Sequence, residues 1–382
     1  MASLSLGMLG AALVLGAVWV IIFPQVLAPP RSAQLLEAVD TAAERAAIEQ
    51  RDVELLNGIR AGAVQALAGA VVLATAYFTW QRLRLDRETT RQELELARDA
   101  QFIEGFTRGV DQLMHTSPDA RLAGIYTLER LAKHREGQHT VTEVLNAFVR
   151  RRVPWAPPAP DQSSAPPSTD DLSVRAPDVQ TIMAILCRPS PGGMPRRLDL
   201  HEVDLHHAEL PGANLVGANL ARARLYGARL DDARLDSAAL YKAVLTRARL
   251  VGASLVNADL SQAKLSYSDL FAADLSRARL TGARLSHARL ARANLVGANL
   301  VGADLRDADL READLRHAVL READLRLADL RGADFTGADV SRADMDDARL
   351  DGANLSGVLD SAETRWPHDV DRGATGIDPK SG

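Results

Sequence analysis

Three histidines lie close to carboxylates at the start of a long repetitive region. His201 and His206 each stand two residues after an aspartate, and His207 stands two residues before a glutamate. Imidazole and carboxylate groups are both ligands of Zn2+. The spacing matches no metal-binding motif, however, so we interpret the group as a polar first turn and expect no bound metal. The six residues are Asp199, His201, Asp204, His206, His207 and Glu209.

No residue pattern typical of an enzyme is present. The sequence lacks a P-loop, a G-x-G-x-x-G after a strand, an H-E-x-x-H motif and a nucleophile elbow. Cys187, the single cysteine, stands in an apolar stretch and is expected to pack rather than react. The formal net charge of -5 does not favour a general nucleic-acid binder. We therefore expect a non-catalytic protein without a cofactor.

A five-residue period dominates the second half of the chain and must position its side chains. Between 200 and 355 every fifth residue is Leu, except Phe335, Val340 and Met345. Between 208 and 353 the residue two places before each of these sites is Ala, except Ser268. Neither an α-helix nor a flat strand buries this period. A chain that turns a corner every five residues does, with Leu and Ala pointing inward and four sides closing a coil of 20 residues.

The period also predicts the size and the ends of this structure. Thirty-two sites give about eight coils, and a rod of roughly 38 Å at the usual strand separation of about 4.8 Å. Because the open ends of a solenoid need covers, we expect a helix over 178–187 to plug the first coil and Trp366 to cover the last. The predicted core is represented by Leu215, Leu260, Leu305, Leu330 and Phe335.

The repeat units resemble those of the pentapeptide-repeat family. The units Ala213-Asn214-Leu215-Val216-Gly217 and Ala303-Asp304-Leu305-Arg306-Asp307 carry the A(D/N)LxG-like pattern of that family. The resemblance covers about 198–355 and implies a right-handed quadrilateral β-helix. The tail segment Thr364-Arg365-Trp366-Pro367 resembles the segment that closes such rods.

The helical middle of the chain also resembles known sequences. The segments 106–108, 121–130 and 144–150 are similar to membrane-anchored pentapeptide-repeat proteins of actinobacteria. No biochemical activity is established for those proteins, so the resemblance implies an anchored repeat protein and no reaction.

Two segments near the N-terminus are long and apolar enough to cross a bilayer. Residues 4–23 and 61–80 contain no charged residue, and about 20 apolar residues match the hydrocarbon thickness. The first segment lacks a basic n-region, so we favour an uncleaved anchor, although a cleaved signal peptide is left open. Gly62, Ala66 and Ala70 share a helical face that allows close packing against the first span.

Arginines near the second span predict the orientation. Five of them follow it between Arg82 and Arg98, which favours a cytoplasmic position for that side. We therefore expect a two-pass protein of the cytoplasmic membrane, with both termini and the repeat region in the cytoplasm.

The predicted organisation has five parts. Amphipathic spacing predicts three helices in the module that follows the anchor, with Ser117-Pro118 beginning the second and the Thr140–Glu143 capping box beginning the third. The predicted parts are the membrane anchor (1–92), the helical module (93–153), a Pro/Ser/Ala-rich linker (154–177), the capping helix with the β-helix and its C-terminal cap (178–370), and a tail (371–382).

The outer faces of the rod are the expected place of function. Residues twenty apart should lie above one another, so charged and apolar side chains form columns, and a solvated charged surface is the simplest interpretation. Apolar groups among them could contact a partner. The candidate partner residues are Tyr226, Tyr241, Val251, Tyr267, Phe271, Asp304, Arg306, Arg311, Asp324 and Asp344.

These observations together favour a membrane-anchored scaffold that binds an unidentified protein, with homo-oligomerisation left open. The alternative is a DNA-mimicking modulator of a type II topoisomerase, as the acidic rods of some members of the family imply. Here the rod changes from a net charge of +3 before residue 300 to -6 after it, which does not resemble the even charge of DNA. Binding of nucleic acid itself is not expected.

Overall fold

The computed structural model describes residue 16 and the ranges 41–133, 135–155, 170–188 and 198–368. The chain divides into two compact units, Met1–Asp99 and Ala100–Gly382. The first predicted span (4–23), except Gly16, the tail 371–382 and most of the predicted linker lie outside the described residues.

A single long helix, α1, occupies Ala42–Leu113. Its 72 residues correspond to roughly 108 Å at about 1.5 Å per residue. The predicted second span (61–80) lies inside α1, which is the one helix among the described residues that is long and apolar enough to cross a membrane. No residue of its apolar window is buried, and the mean hydropathy of that window is 1.6. The helix continues without a break past residue 92, where the sequence suggested that the anchor ends.

One face of α1 is less exposed than the rest. Its half-buried residues recur at intervals of three and four, as in a helix that packs along one seam. Ala70 belongs to this stripe, whereas Gly62 and Ala66 are exposed. The stripe consists of Ile48, Asp52, Leu56, Ile59, Ala63, Leu67, Ala70 and Ala74.

Two further helices pack on the C-terminal end of α1. Helix α2 (Pro118–Leu131) begins at the proline that the sequence indicated. It crosses α1 closely, because a Cβ on Gly124 would lie 2.6 Å from the backbone nitrogen of Leu113. Helix α3 (Arg135–Arg152) begins five residues before the predicted capping box, so that prediction was wrong. Inside the helix the Thr142 hydroxyl instead donates to the carbonyl of Gln138, an i−4 bond that helical threonines make.

Residues 198–368 form the predicted coil. Each outward residue before a Leu pairs in parallel with the residue twenty positions later, from Asp199 with Asn219 to Asp339 with Leu359. At every corner between residues 202 and 357 the second residue after the Leu site has a positive φ, between 53° and 72°. Non-glycine residues rarely adopt this conformation, yet Arg, Asp, Glu and His do so here. The closed turn explains why: the amide of the next Ala donates back to the Leu carbonyl, as from Ala258 to Leu255 at 3.0 Å.

The core of the coil consists of stacked Leu and Ala. Leu215, Leu260, Leu305, Leu330 and Phe335 are all at most 1% exposed. Ser268 replaces an Ala without an unsatisfied group, because its hydroxyl donates to the Leu265 carbonyl at 2.7 Å. The quadrilateral β-helix predicted from the period is therefore the fold of this region.

The edge of the first coil is hydrogen-bonded on all four sides. An uncovered edge would present free backbone groups to other strands. The four contacts come from two segments that precede the coil, residues 150–153 and 180–187. Arg150 Nη1 donates to the Asp199 carbonyl at 2.9 Å, Asp204 N to the Val153 carbonyl at 2.8 Å, Glu209 N to Gln180 Oε1 at 3.2 Å and Asn214 N to the Cys187 carbonyl at 2.7 Å.

Two short helices hold this cover together. They are α4 (Leu172–Arg175) and α5 (Pro177–Leu186), which places α5 where the plug helix was expected. Asp178 in α5 is fully buried and accepts from Arg121 of α2 at 2.7 Å and from Arg152 of α3 at 3.3 Å. A buried carboxylate needs such partners, so Asp178 joins α5 to the two helices before it.

The last coil differs from the others by one residue. Asp344 pairs with Arg365 rather than with residue 364, and the buried Thr364 hydroxyl donates to the Val340 carbonyl. Trp366 packs half-buried against the core, and its indole Nε1 donates to Asp360 at 3.2 Å. The tryptophan therefore lies at the end of the rod, where the sequence suggested a cover.

Candidate interaction surface

The outward side chains of the rod form columns, because residues twenty apart are paired neighbours. Three adjacent columns follow one side and its corner. We call this surface the split-charge face; it consists of the outward residues of 244–247, 264–267, 284–287, 304–307, 324–327 and 344–347.

The first three levels of the split-charge face form its basic half. Arg247, Lys264 and Arg284 are exposed and make no ion pair with any residue that the structure describes. Beside them the ring of Tyr267 stacks on His287 with centroids 4.7 Å apart. Tyr267 is 56% exposed. The basic half therefore offers three cations outside any described ion pair, around an exposed aromatic side chain.

The other three levels form the acidic half. Asp304, Asp324 and Asp344 lie above one another in one column, as predicted. Arg306 donates two hydrogen bonds of 2.8 Å to Asp304. Arg326 donates two hydrogen bonds of 2.7 and 2.8 Å to Asp324. Arg306 also reaches Asp324 in the next coil at 3.4 Å. The like charges in the column are thus partly offset by arginines that join neighbouring coils.

The same arrangement continues around the rod. Arg311 binds Asp309 through two hydrogen bonds of 2.7 and 2.8 Å and approaches Asp329 at 3.8 Å. The guanidinium of Arg306 lowers the pKa of the Asp304 carboxyl below its usual value, and Arg311 does the same for the pKa of Asp309. These carboxylates therefore stay ionised to more acidic pH than free aspartate.

The other candidate apolar residues do not form one patch. Tyr226 lies on the same corner as Tyr267, two coils earlier, and its ring contacts His207 edge to face at 5.6 Å. Tyr241 lies on a second corner, where Lys242 covers its ring at 5.0 Å. Val251 and Phe271 are neighbours on a third corner. A single partner could not contact all of them on one flat surface.

The histidine and carboxylate group of the first coil is divided into pairs. His201 Nδ1 contacts Asp199 at 2.7 Å, and His206 Nδ1 contacts Asp204 at 2.6 Å. His206 is buried, and this burial lowers its pKa. Among the described residues no group of three or more His, Cys, Asp or Glu side chains is placed to hold a metal ion.

Sequence reasoning missed the free cations and one apolar residue of the split-charge face. Leu327 is 55% exposed and lies on the Tyr267 corner three coils further on. The signal was present in the sequence, because residues sixty apart share a column.

Comparison with known proteins identifies the repeats. A family model described as "Pentapeptide repeats" matches eight copies, within 199–236, 228–266, 238–277, 273–311, 308–347 and 328–358. No curated protein matches the chain.

The chain is also similar to solved structures. The chain is similar to HetL, a pentapeptide repeat protein involved in heterocyst differentiation regulation from the cyanobacterium Nostoc sp. strain PCC 7120 (32% identity, 42% of this chain and 80% of that chain, TM-score 0.21). It is also similar to the pentapeptide repeat protein alr5209 of Nostoc PCC 7120 (35%, 32% and 84%, TM-score 0.25). The plasmid-mediated fluoroquinolone resistance protein QnrB1 matches at 19% identity, over 40% of this chain and 90% of that chain, with a TM-score of 0.26.

Proposed function

This chain belongs to the pentapeptide-repeat family, and on that premise we propose that it is a membrane-anchored, non-catalytic scaffold. Its right-handed quadrilateral β-helix of about eight coils would present rigid outer faces to a protein partner at the cytoplasmic side of the membrane.

The observation that carries the proposal is the filled interior of the rod. The inward Leu and Ala side chains are buried from Leu200 to Ala348. Close packing of this kind leaves the interior to apolar side chains. The charged groups and the tyrosines of the described coils therefore lie on the outside, where a macromolecular surface can reach them.

The anchor is supported by the exposed apolar part of α1. Val71, Val72, Leu73, Tyr77 and Trp80 are each more than half exposed, which is costly in water for a segment of this length. A bilayer removes that cost, and the half-buried stripe of α1 supports a second span packed beside the first. The 61–80 segment spans about 30 Å as a helix, which matches the hydrocarbon core.

Fractionation of cells tests the anchor. The full chain should stay in the membrane pellet after alkaline carbonate washing and leave it only with detergent. Topology is read by cysteine labelling: Ser237→Cys, on an exposed corner of the rod, should react with a membrane-impermeant maleimide only after the cells are opened. Release by carbonate, or labelling in intact cells, would contradict the proposed anchor or its orientation.

The topoisomerase alternative predicts a different result. The paired arginines described above reduce the acidic character of the rod, which does not favour mimicry of DNA. Purified full chain in detergent should leave DNA supercoiling by gyrase unchanged at micromolar protein. Inhibition at that concentration would replace the scaffold proposal by the topoisomerase one.

A further inference from the structure

The split-charge face has two halves of equal length and opposite charge. Its basic half carries three cations outside any ion pair of the described residues and no acid in three levels, and its acidic half carries six acids and two arginines in the next three levels. Two such faces placed against each other in antiparallel orientation would bring each basic half onto the acidic half of the other chain. We propose that this face binds a second copy of the same chain, through a two-fold axis that passes between the levels of His287 and Asp307.

The central column matches under this arrangement. In an antiparallel pair centred there, Arg284 meets Asp304 of the other chain and Lys264 meets Asp324. In one chain Arg284 is already the neighbour of Asp304 and acts electrostatically on its carboxylate. Lys264 and Asp324 lie three coils apart, about 14 Å, and cannot pair internally. Symmetry doubles each contact, because an isologous interface repeats every pair.

The corner column matches at the same centre. Tyr267 meets Leu327, and these two are the exposed large apolar residues of that corner, at 56% and 55% exposure. Apolar side chains surrounded by charged pairs are typical of an interface core with a polar rim. No other centre along the column brings these two side chains together.

Two further pairs of the corner column follow from that centre. Arg247, which has no ion pair among the described residues, meets Asp347, which has none either. His287 meets Asp307, the residue it already approaches at 4.0 Å within its own chain. Five contacts of matching chemistry thus depend on one position of the axis.

The arginines of the acidic half do not oppose the pairing. Arg306 and Arg326 would face Ser286 and Ser266 of the other chain. Serine hydroxyls can accept hydrogen bonds from guanidinium groups, so these positions add polar contacts rather than repulsion.

The ends of the face fit less well than its centre. Lys242, at its far edge, would face Arg342, but Arg342 already pairs with Glu322 at 3.2 Å. Val244 would face Asp344, an apolar side chain against a carboxylate that, like Asp304 and Asp324, already has an arginine partner in its own chain. Among the described residues of the split-charge face and its edge, Lys242 with Arg342 is the one like-charge contact that this position of the two-fold axis creates.

The adjoining side lacks this self-complementarity. With the same centre, Arg289 would meet Asp309, but Asp269 would meet Asp329 and Arg249 would meet Arg349, so two of the three pairs have like charges. Like charges in contact destabilise an interface. An anionic membrane or a nucleic acid fits the split-charge face less well, because the acidic half would be repelled. The charge pattern therefore favours a second copy over a uniformly charged partner.

Disulfide trapping tests the arrangement with the full chain in non-ionic detergent. Tyr267→Cys and Leu327→Cys proteins, carrying different tags, are mixed and oxidised. Both positions already have a φ of 62°, so Cys adds no new backbone strain, and the native Cys187 is buried. The mixture should give a disulfide-linked pair of the two tags, and each protein alone should not, since its two cysteines would lie about 14 Å apart.

Self-linking of Tyr267→Cys alone would show parallel rods and overturn the proposal. Absence of linkage in the mixture, while both cysteines still react with a small maleimide, would overturn it as well. Neither result bears on membrane anchoring, which is tested separately.

A charge exchange provides the second measurement. Arg247→Asp and Asp347→Arg should each weaken self-association in analytical ultracentrifugation roughly tenfold, because two symmetric pairs become repulsive. The double variant should restore it. Arg277→Asp, on an exposed corner outside the face, is the matched control and should change nothing. Equal effects of the control, or no rescue in the double variant, would contradict the pairing.

Discussion

Replacement of one inward leucine tests the packing of the rod. Leu260 is fully buried, and Leu240 and Leu280 occupy the same column in the coils before and after it. Leu260→Ala removes side-chain carbons worth about 2.4 kcal/mol of transfer free energy. The hydrogen-bonded coils on both sides prevent collapse into the cavity, so we expect a total loss of about 3–5 kcal/mol.

Native-state hydrogen exchange of the full chain in detergent measures this loss where it occurs. Coils contact mainly their neighbours, so protection should fall most in residues 240–280. Leu359→Ala is the matched control, because that leucine is an exposed outward side chain outside the split-charge face, and we expect a change below about 0.5 kcal/mol. A loss of less than about 1 kcal/mol for Leu260→Ala, or equal losses for both variants, would refute the inward column.

Three further predictions concern the ends and the core of the β-helix. Asp178→Asn should lower the free energy of unfolding by about 3–5 kcal/mol, because two arginines lose a buried partner. Thermal unfolding measures the loss, with Asp119→Asn as the control. Equal unfolding temperatures of the two variants would contradict the role of the ion pair. Burial lowers the pKa of His206 in the folded chain, so as the pH falls the unfolded chain binds a proton on this imidazole before the folded chain does. The contribution of His206 to the free energy of unfolding is therefore fully present above about pH 6.5 and is lost as the pH falls below that value. His206→Gln should flatten this part of the pH profile in urea unfolding, and an unchanged profile would count against it. Ser268→Ala should change stability by no more than about 1 kcal/mol, since the Leu265 carbonyl loses only one hydrogen bond; a loss above about 2 kcal/mol in the same assay would show that the hydroxyl is essential.

The interior of the rod could be predicted from sequence because a strict five-residue period leaves one way to bury it. Leu305 and Phe335 lie where that period requires. The cover of the first coil could not be predicted, because Gln180 and Arg150 reach backbone groups 29 and 49 residues away. Such contacts depend on how separate helices meet and leave no local pattern. The start of α3 was missed for a related reason, since the five residues before the capping box, among them Gly137 beside Phe102, are already part of the helix.

The charge pattern of the surface was only partly predictable. The column of Asp304, Asp324 and Asp344 follows directly from the twenty-residue coil. The bidentate contacts of Arg306 were not foreseen, because they depend on the corner geometry that turns the arginine back onto the preceding aspartate. Tyr267 was a predicted partner residue, but its relation to Leu327 appears only when whole columns are compared.

The twenty-residue coil itself can be measured directly by a distance between spin labels. Ser237→Cys and Gly357→Cys, in a Cys187→Ala background, place labels on one corner six coils apart. Pulsed electron–electron double resonance on the labelled full chain, diluted in excess unlabelled chain, should give a narrow distribution near 29 Å, from about six spacings of about 4.8 Å. A broad distribution, or a distance near the roughly 180 Å that about 120 residues of α-helix would span, would contradict the coil.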